Sequence, residues 1–256
     1  MAPDLLLACA AALVAGFIDA VAGGGGLVQL PALLVIYPNA QPEDLFGTNK
    51  VASMAGTVSA LARYVRVVRV PWDAVGPAAA LAFATSFVGA RLAAWMPVTW
   101  MRPVVLVLLA AVFVQTVTGI TRPRVREQLP PTPAVARMIA LAMGGGLGLY
   151  DGFFGPGTGS FLLFGFVALL GMDFLAASAS AKAVNVATNL AAIFAFALGG
   201  HVRWELALPM AVCNVVGAQL GTRLALAQGA AFVRGAFVVV VGALLLRLGW
   251  QTFTGS

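Results

Sequence analysis

Four ionisable side chains stand in otherwise apolar stretches: Asp19, Lys50, Asp151 and Lys182, the lysines being the only two in the chain. An ionisable group at the centre of a membrane helix costs about 2.5–3.5 kcal/mol on insertion scales, so function is the default reason for finding one. Each aspartate lies just ahead of a glycine-rich break. These are Gly23-Gly24-Gly25-Gly26 and Gly155-Pro156-Gly157-Thr158-Gly159, the second followed by Ser160. A helix that begins at such a break points unsatisfied N–H groups and the positive end of its dipole into the space ahead. That arrangement suits an anion, and glycine lets a ligand approach the backbone closely. Asn49 beside Lys50, and Asn185 one turn after Lys182, add polar groups at the same places. The expected binding set is therefore Gly23 to Gly26, Asn49, Lys50, Gly155, Gly157 to Ser160, Lys182 and Asn185. Asp19 and Asp151 are expected to hold the lysines or to carry coupling protons.

The same residues admit plainer roles. An Asp–Lys pair inside each half could be structural, or the lysines could snorkel to the interface. The glycines could serve close helix packing. Thr48, Ser53 and Thr57 in the first half, and Ser178, Ser180, Thr188 and Asn189 in the second, could line a path or bond neighbouring helices. Ser53 and Thr57 share a helix face, as do Asn185 and Asn189. Arg91 and Arg223, near helix ends, read as snorkelling residues.

The elements that must position these groups follow from composition. The 256 residues are 61% hydrophobic and 9% charged, against about 25% charged in a soluble domain, so most of the chain cannot face water. Apolar runs near 5–22, 45–62, 74–95, 101–121, 134–152, 176–198, 205–227 and 231–250 approach the ~20 residues that a helix needs to cross a bilayer. Two runs of about half that length, 27–37 and 160–170, follow the glycine breaks and read as re-entrant or broken helices, tolerated where they line a cavity. The expectation is an all-α integral membrane protein of about eight transmembrane helices plus these two short ones. The N-terminal MAPDLLLACAALVAG has an acid where a signal peptide carries positive charge and reads as the first membrane helix.

A shift of 132 residues superposes the halves without a gap. Asp19 falls on Asp151, Gly23 on Gly155, Gly25 on Gly157, Lys50 on Lys182, Trp72 on Trp204, Pro77 on Pro209, Arg91 on Arg223 and Arg102 on Arg234. Matches of Asp, Lys, Trp and Arg in one register imply a duplication: two tandem repeats with pseudo-two-fold symmetry, 1–121 and 134–256. Between them lies a polar, proline-rich linker, 122–133. Arginines cluster at 63–69, at 122–137 and at Arg203. Placing all of these loops in the cytoplasm gives four crossings per half, with the linker and both termini inside. In the other arrangement, the first two pieces of each half form a hairpin dipping from one side. Each half then crosses three times and the repeats are inverted. Trp72, Trp95, Trp100, Trp204 and Trp250 fall at span ends, as interfacial anchors do.

The run Gly16-Phe17-Ile18-Asp19-Ala20-Val21-Ala22-Gly23-Gly24-Gly25-Gly26-Leu27-Val28-Gln29-Leu30-Pro31, followed by Gly47-Thr48-Asn49-Lys50, resembles the TauE/SafE family of sulfite exporters and related membrane transporters. Gly148 to Gly159, Ala181-Lys182-Ala183-Val184-Asn185 and Gly221-Thr222-Arg223 fit the same pattern, so the resemblance covers essentially the whole chain. It implies a secondary carrier in the cell's inner membrane for small, sulfur-containing anions such as sulfite, sulfonates or related organic acids. The site would lie between the repeats, with access alternating as one half rocks against the other.

Other classes fit less well. The net charge of +6 comes from arginines between apolar runs, without the aromatic stacking residues of a nucleic-acid surface. Cys9 and Cys213 form neither a disulfide framework nor a zinc site. An intramembrane serine hydrolase would pair Ser160 with the single histidine, His201, which falls at a loop edge. No phosphate-binding Gly-x-x-x-x-Gly-Lys-Ser/Thr loop is present, and no metal or cofactor site is expected. A passive anion channel also suits paired glycine breaks.

Overall fold

The structure is a computed structural model and describes residues 2–95, 103, 104, 107, 110 and 131–228. Within them lie eight helices and no strand: α1 (Ala2–Ala22), α2 (Gly26–Ile36), α3 (Pro42–Tyr64), α4 (Trp72–Ala94), α5 (Pro133–Phe153), α6 (Thr158–Leu170), α7 (Phe174–Leu198) and α8 (Trp204–Gln228). The expected spans 101–121, apart from four helical positions, and 231–250 lie outside the described residues. So do linker residues 122–130, Trp100, Arg102, Arg234 and Trp250.

Local sequence sets the helix ends. Pro42 opens α3 with Glu43 and Asp44 in its first turn, where acids favour the positive dipole end. The Asp173 carboxylate caps α7, accepting from the N–H groups of Leu175 and Ala176 at 3.0 Å. The glycine breaks separate α1 from α2 and α5 from α6. Gly23 (φ 74°), Gly155 (φ 97°) and Gly157 (φ 88°) take the left-handed conformation that side chains resist. The starts of α2 and α6, of α3 and α7, and of α4 and α8 are each 132 residues apart.

Among the described residues, five stretches are long and apolar enough to cross a membrane: Pro3–Ala22, Trp72–Ala94, Pro133–Phe153, Phe174–Leu198 and Trp204–Ala227. Leu208, Val212, Val216 and Leu220 expose one apolar stripe of α8, as a lipid-facing helix should. Trp72, Trp95 and Trp204, all about half exposed or more, sit at helix ends. α3 is as long as α4 but more polar; its Thr48, Asn49, Lys50 and Thr57 are buried in protein.

Packing exchanges one helix between the halves. α4 packs chiefly on α5 and α7, and α8 chiefly on α1 and α3. Small residues bring these backbones together. On α5, a Cβ on Gly144 would run into the Ala78 carbonyl, one on Gly148 into Ala82, and one on Gly152 into the Ser86 carbonyl. Numbers rise together on both helices, so α4 and α5 run the same way. Gly217 against Leu13 and Gly221 against Phe17 show that α1 and α8 also run the same way. For α3 and α8, the Arg203 N–H donates to Thr48 Oγ1, Gly56 meets Asn214, and Gln219 bonds Ser59. These two are therefore also parallel. The short connection 65–71 turns the chain back, so α4 opposes α3. Thus α1, α3 and α8 run one way, and α4 and α5 the other.

Candidate functional site

The two breaks meet. A Cβ on Gly23 would strike the Gly159 backbone, and one on Gly159 would strike Gly23. The Ser160 hydroxyl donates to the Ala22 carbonyl at 2.7 Å across the same junction. Tyr150 Oη donates to the Pro156 carbonyl at 2.8 Å, and Thr158 Oγ1 to the Gly155 carbonyl at 2.8 Å, fixing the second break. Bare backbone of this kind is stable at depth because protein surrounds it.

A small cavity lies against the junction. Its lining includes Asp19, Gly23, Gly26, Asn49, Lys50, Asp151, Gly155, Gly157, Gly159 and Asn185 from the expected set, together with Ser53, Thr57 and Asn189. Gly24, Gly25, Thr158, Ser160 and Lys182 are not among the lining residues. The cavity is about 20 Å³, room for one or two waters. An oxyanion of several heavy atoms fits only if the walls move apart.

The charged residues pair between the halves, not within them. Lys50 Nζ lies 2.8 Å from Asp151 Oδ2, with both side chains nearly inaccessible. Lys182 Nζ donates to the backbone carbonyl of Asp19 at 2.8 Å and lies 4.0 Å from its Oδ2. It also sits 5.7 Å over the Tyr64 ring, a favourable place for a cation. The Asp19 carboxylate is 15% exposed and accepts from Thr57 Oγ1 at 3.3 Å. Removing charges from water costs several kcal/mol each unless they are paired and bonded. The two crossed pairs therefore tie the halves together where the helices are broken. Gly155 permits this: a Cβ there would approach Lys50 Nζ to 2.8 Å.

Sequence reasoning missed two features. Gln29, a polar side chain in otherwise apolar α2, accepts from Asn214 Nδ2 at 2.8 Å and approaches the Asn49 carbonyl at 3.4 Å. This joins α2 to α8 and α3 just behind the cavity. A glutamine inside an apolar half-helix was the available signal. The second is Gly144, Gly148 and Gly152, a four-residue spacing that marks a close helix contact.

Elsewhere, Arg91 and Arg223 are exposed. His201 Nδ1 lies 3.0 Å from Asp44 Oδ1, whereas Ser160 is bonded to Ala22. The histidine and the serine are thus engaged with different partners.

The family described as sulfite exporter TauE/SafE matches residues 8–248. A "probable membrane transporter protein ORF9" of Sinorhizobium sp is 36% identical over 93% of this chain and 89% of its own length. The "probable membrane transporter protein YfcA" of Escherichia coli K12 is 33% identical, covering 93% of this chain and 86% of its own. A "probable membrane transporter protein" of Haemophilus influenzae is 32% identical over 94% of both chains. No solved structure matches the chain.

Proposed function

The chain belongs to the sulfite exporter TauE/SafE family, and on that premise we propose that it is a secondary membrane transporter of small anions, sulfur oxyanions or sulfonates first among them. The observation that carries this reading is the pair of crossed Lys–Asp contacts beside two facing helix breaks. Backbone N–H groups at the breaks and the Lys50 ammonium would hold the anion, with Lys182 supplying charge from outside the lining. The family's description and the relatives' names support the transport reading and the sulfur chemistry.

The helix directions support inverted repeats, the arrangement with a hairpin at the start of each half. Helices at corresponding places, α1 and α5 or α4 and α8, run oppositely. On this reading Arg63, Arg66, Arg69 and Arg137 share one side and Arg203, expected with them, lies on the other; the arginine excess makes the first side cytoplasmic. The start of α1 then faces the opposite side, contrary to the expectation of cytoplasmic termini. Because α4 and α8 are exchanged, the bodies that rock are α1–α3 with α8 and α5–α7 with α4, not the two sequence halves. Single cysteines in a cysteine-free background test the orientation. Val67→Cys should react with a membrane-impermeant maleimide only from the cytoplasm, and Asn39→Cys only from outside. Labelling of both from one side sinks the inverted reading.

Anion binding is tested by thermal shift of the purified protein with sulfite, sulfate, thiosulfate, methanesulfonate, acetate and chloride at matched ionic strength. A ligand that binds only the folded state raises stability by about 2.7 kcal/mol at a hundred times its Kd. The expected result is a selective rise with a sulfur anion that is lost in Lys50→Ala. Equal behaviour of all anions, or none, refutes the site.

A further inference from the structure

We propose that each monoanion crosses together with one proton, and that Asp19, not Asp151, carries that proton. This rests on the anion-site reading above and specifies its energetics.

Charge balance is the first argument. Among the described residues, the groups of the site that carry charge at neutral pH are Lys50, Lys182, Asp19 and Asp151. With all four ionised the site is neutral, so an anion entering it would be an uncompensated charge in a low-dielectric interior. Such a charge is costly enough that proteins change protonation instead. One proton taken up with a monoanion restores neutrality: the site gains +1 and −1, and both leave together on the other side. No covalent bond other than the carboxyl O–H is made or broken.

Geometry then selects the aspartate. Lys50 Nζ is tied to the Asp151 carboxylate itself at 2.8 Å, both side chains being buried. Protonating Asp151 would take the counter-charge from Lys50. Lys182 is held differently: its hydrogen bond goes to the Asp19 backbone carbonyl, and its charge lies over the Tyr64 ring. Neither contact uses an Asp19 carboxylate oxygen, which stands off at 4.0 Å as counter-charge to the ammonium. The Asp19 carboxylate, 4.0 Å from Lys182, lines the cavity and is the more exposed of the two. The groups facing it are Lys182 from α7, Thr57 and Tyr64 from α3 and, in the same cavity, Lys50 and Asp151. Asp19 can therefore be neutralised without breaking a lysine hydrogen bond, and Asp151 cannot.

The test uses proteoliposomes holding the full chain and an internal pH dye, with the membrane potential set by potassium and valinomycin. Methanesulfonate is the probe because it stays singly charged at every working pH. The expected result is inward methanesulfonate movement that acidifies the lumen, is driven by an imposed pH gradient, and is indifferent to the potential. Uptake that follows the potential and moves no proton overturns the proposal while leaving the anion carrier standing. Absence of uptake for methanesulfonate, sulfite, sulfate and thiosulfate alike overturns both. The assignment to Asp19 is read from binding, which does not need turnover. Methanesulfonate affinity of the native protein, followed by thermal shift, should fall about tenfold per pH unit above the pH at which Asp19 loses its proton. It should be pH-independent in Asp19→Asn, and the dependence should return in Asp19→Glu. Retention of the full pH dependence by Asp19→Asn overturns the assignment.

Discussion

Each half brings one aspartate and one lysine to the same junction, and the two resulting pairs are held differently. On one side, Lys50 and Asp151 form a direct ion pair at 2.8 Å, closed off from water. On the other, Lys182 leans on a carbonyl and a ring, and the Asp19 carboxylate stands 4.0 Å away, partly open. Pseudo-symmetry in sequence thus coexists with asymmetry in contact. On the proposed reading of the chain as a carrier with inverted repeats such a difference is expected, since two conformations of unlike access arise when the two halves adopt different arrangements. The closed pair acts as a clamp in the conformation described here, whereas no lysine hydrogen bond reaches the carboxylate of the looser pair.

The largest effect should come from opening the clamp. Lys50→Ala strands the Asp151 carboxylate in a dry site and should cost about 3–5 kcal/mol, read as a fall in unfolding midpoint in detergent. Lys182→Ala should cost less, about 1–2 kcal/mol, because it removes one hydrogen bond and a ring contact but leaves Asp19 partly exposed. Equal losses would break the comparison. The smallest effect belongs to Thr57→Val, which deletes a hydroxyl whose one proton is shared between the Ser53 carbonyl at 2.8 Å and Asp19 at 3.3 Å. It should cost about 1 kcal/mol or less. A loss as large as that of Lys50→Ala would mean that Asp19 is held as tightly as Asp151.

The unusual glycine content also separates into two uses. Gly23, Gly155 and Gly157 turn the backbone where side chains would strain it, and their spacing in register made them legible as breaks. Gly144, Gly148 and Gly152 let α4 lie against α5. Nothing in their own stretch says which helix they meet, since small residues pack equally well against many partners.

Composition and periodicity determined the all-helical membrane class, the 132-residue register, the two breaks, and most of the residues that line the cavity. They could do so because each is local: apolar length, glycine at a turn, an ionisable group where hydrocarbon is expected. Partner identity was not local. The sequence offered an Asp19–Lys50 and an Asp151–Lys182 pairing within each half; the structure pairs Lys50 with Asp151 and Lys182 with Asp19. It also exchanges α4 and α8 between the halves, and sets α1 and α5 running in opposite directions. Those choices depend on how two broken helices face each other and on which backbones come close. Such contacts join residues from 66 positions apart (Ala78 and Gly144) to 204 (Leu13 and Gly217), and no spacing along the chain encodes them.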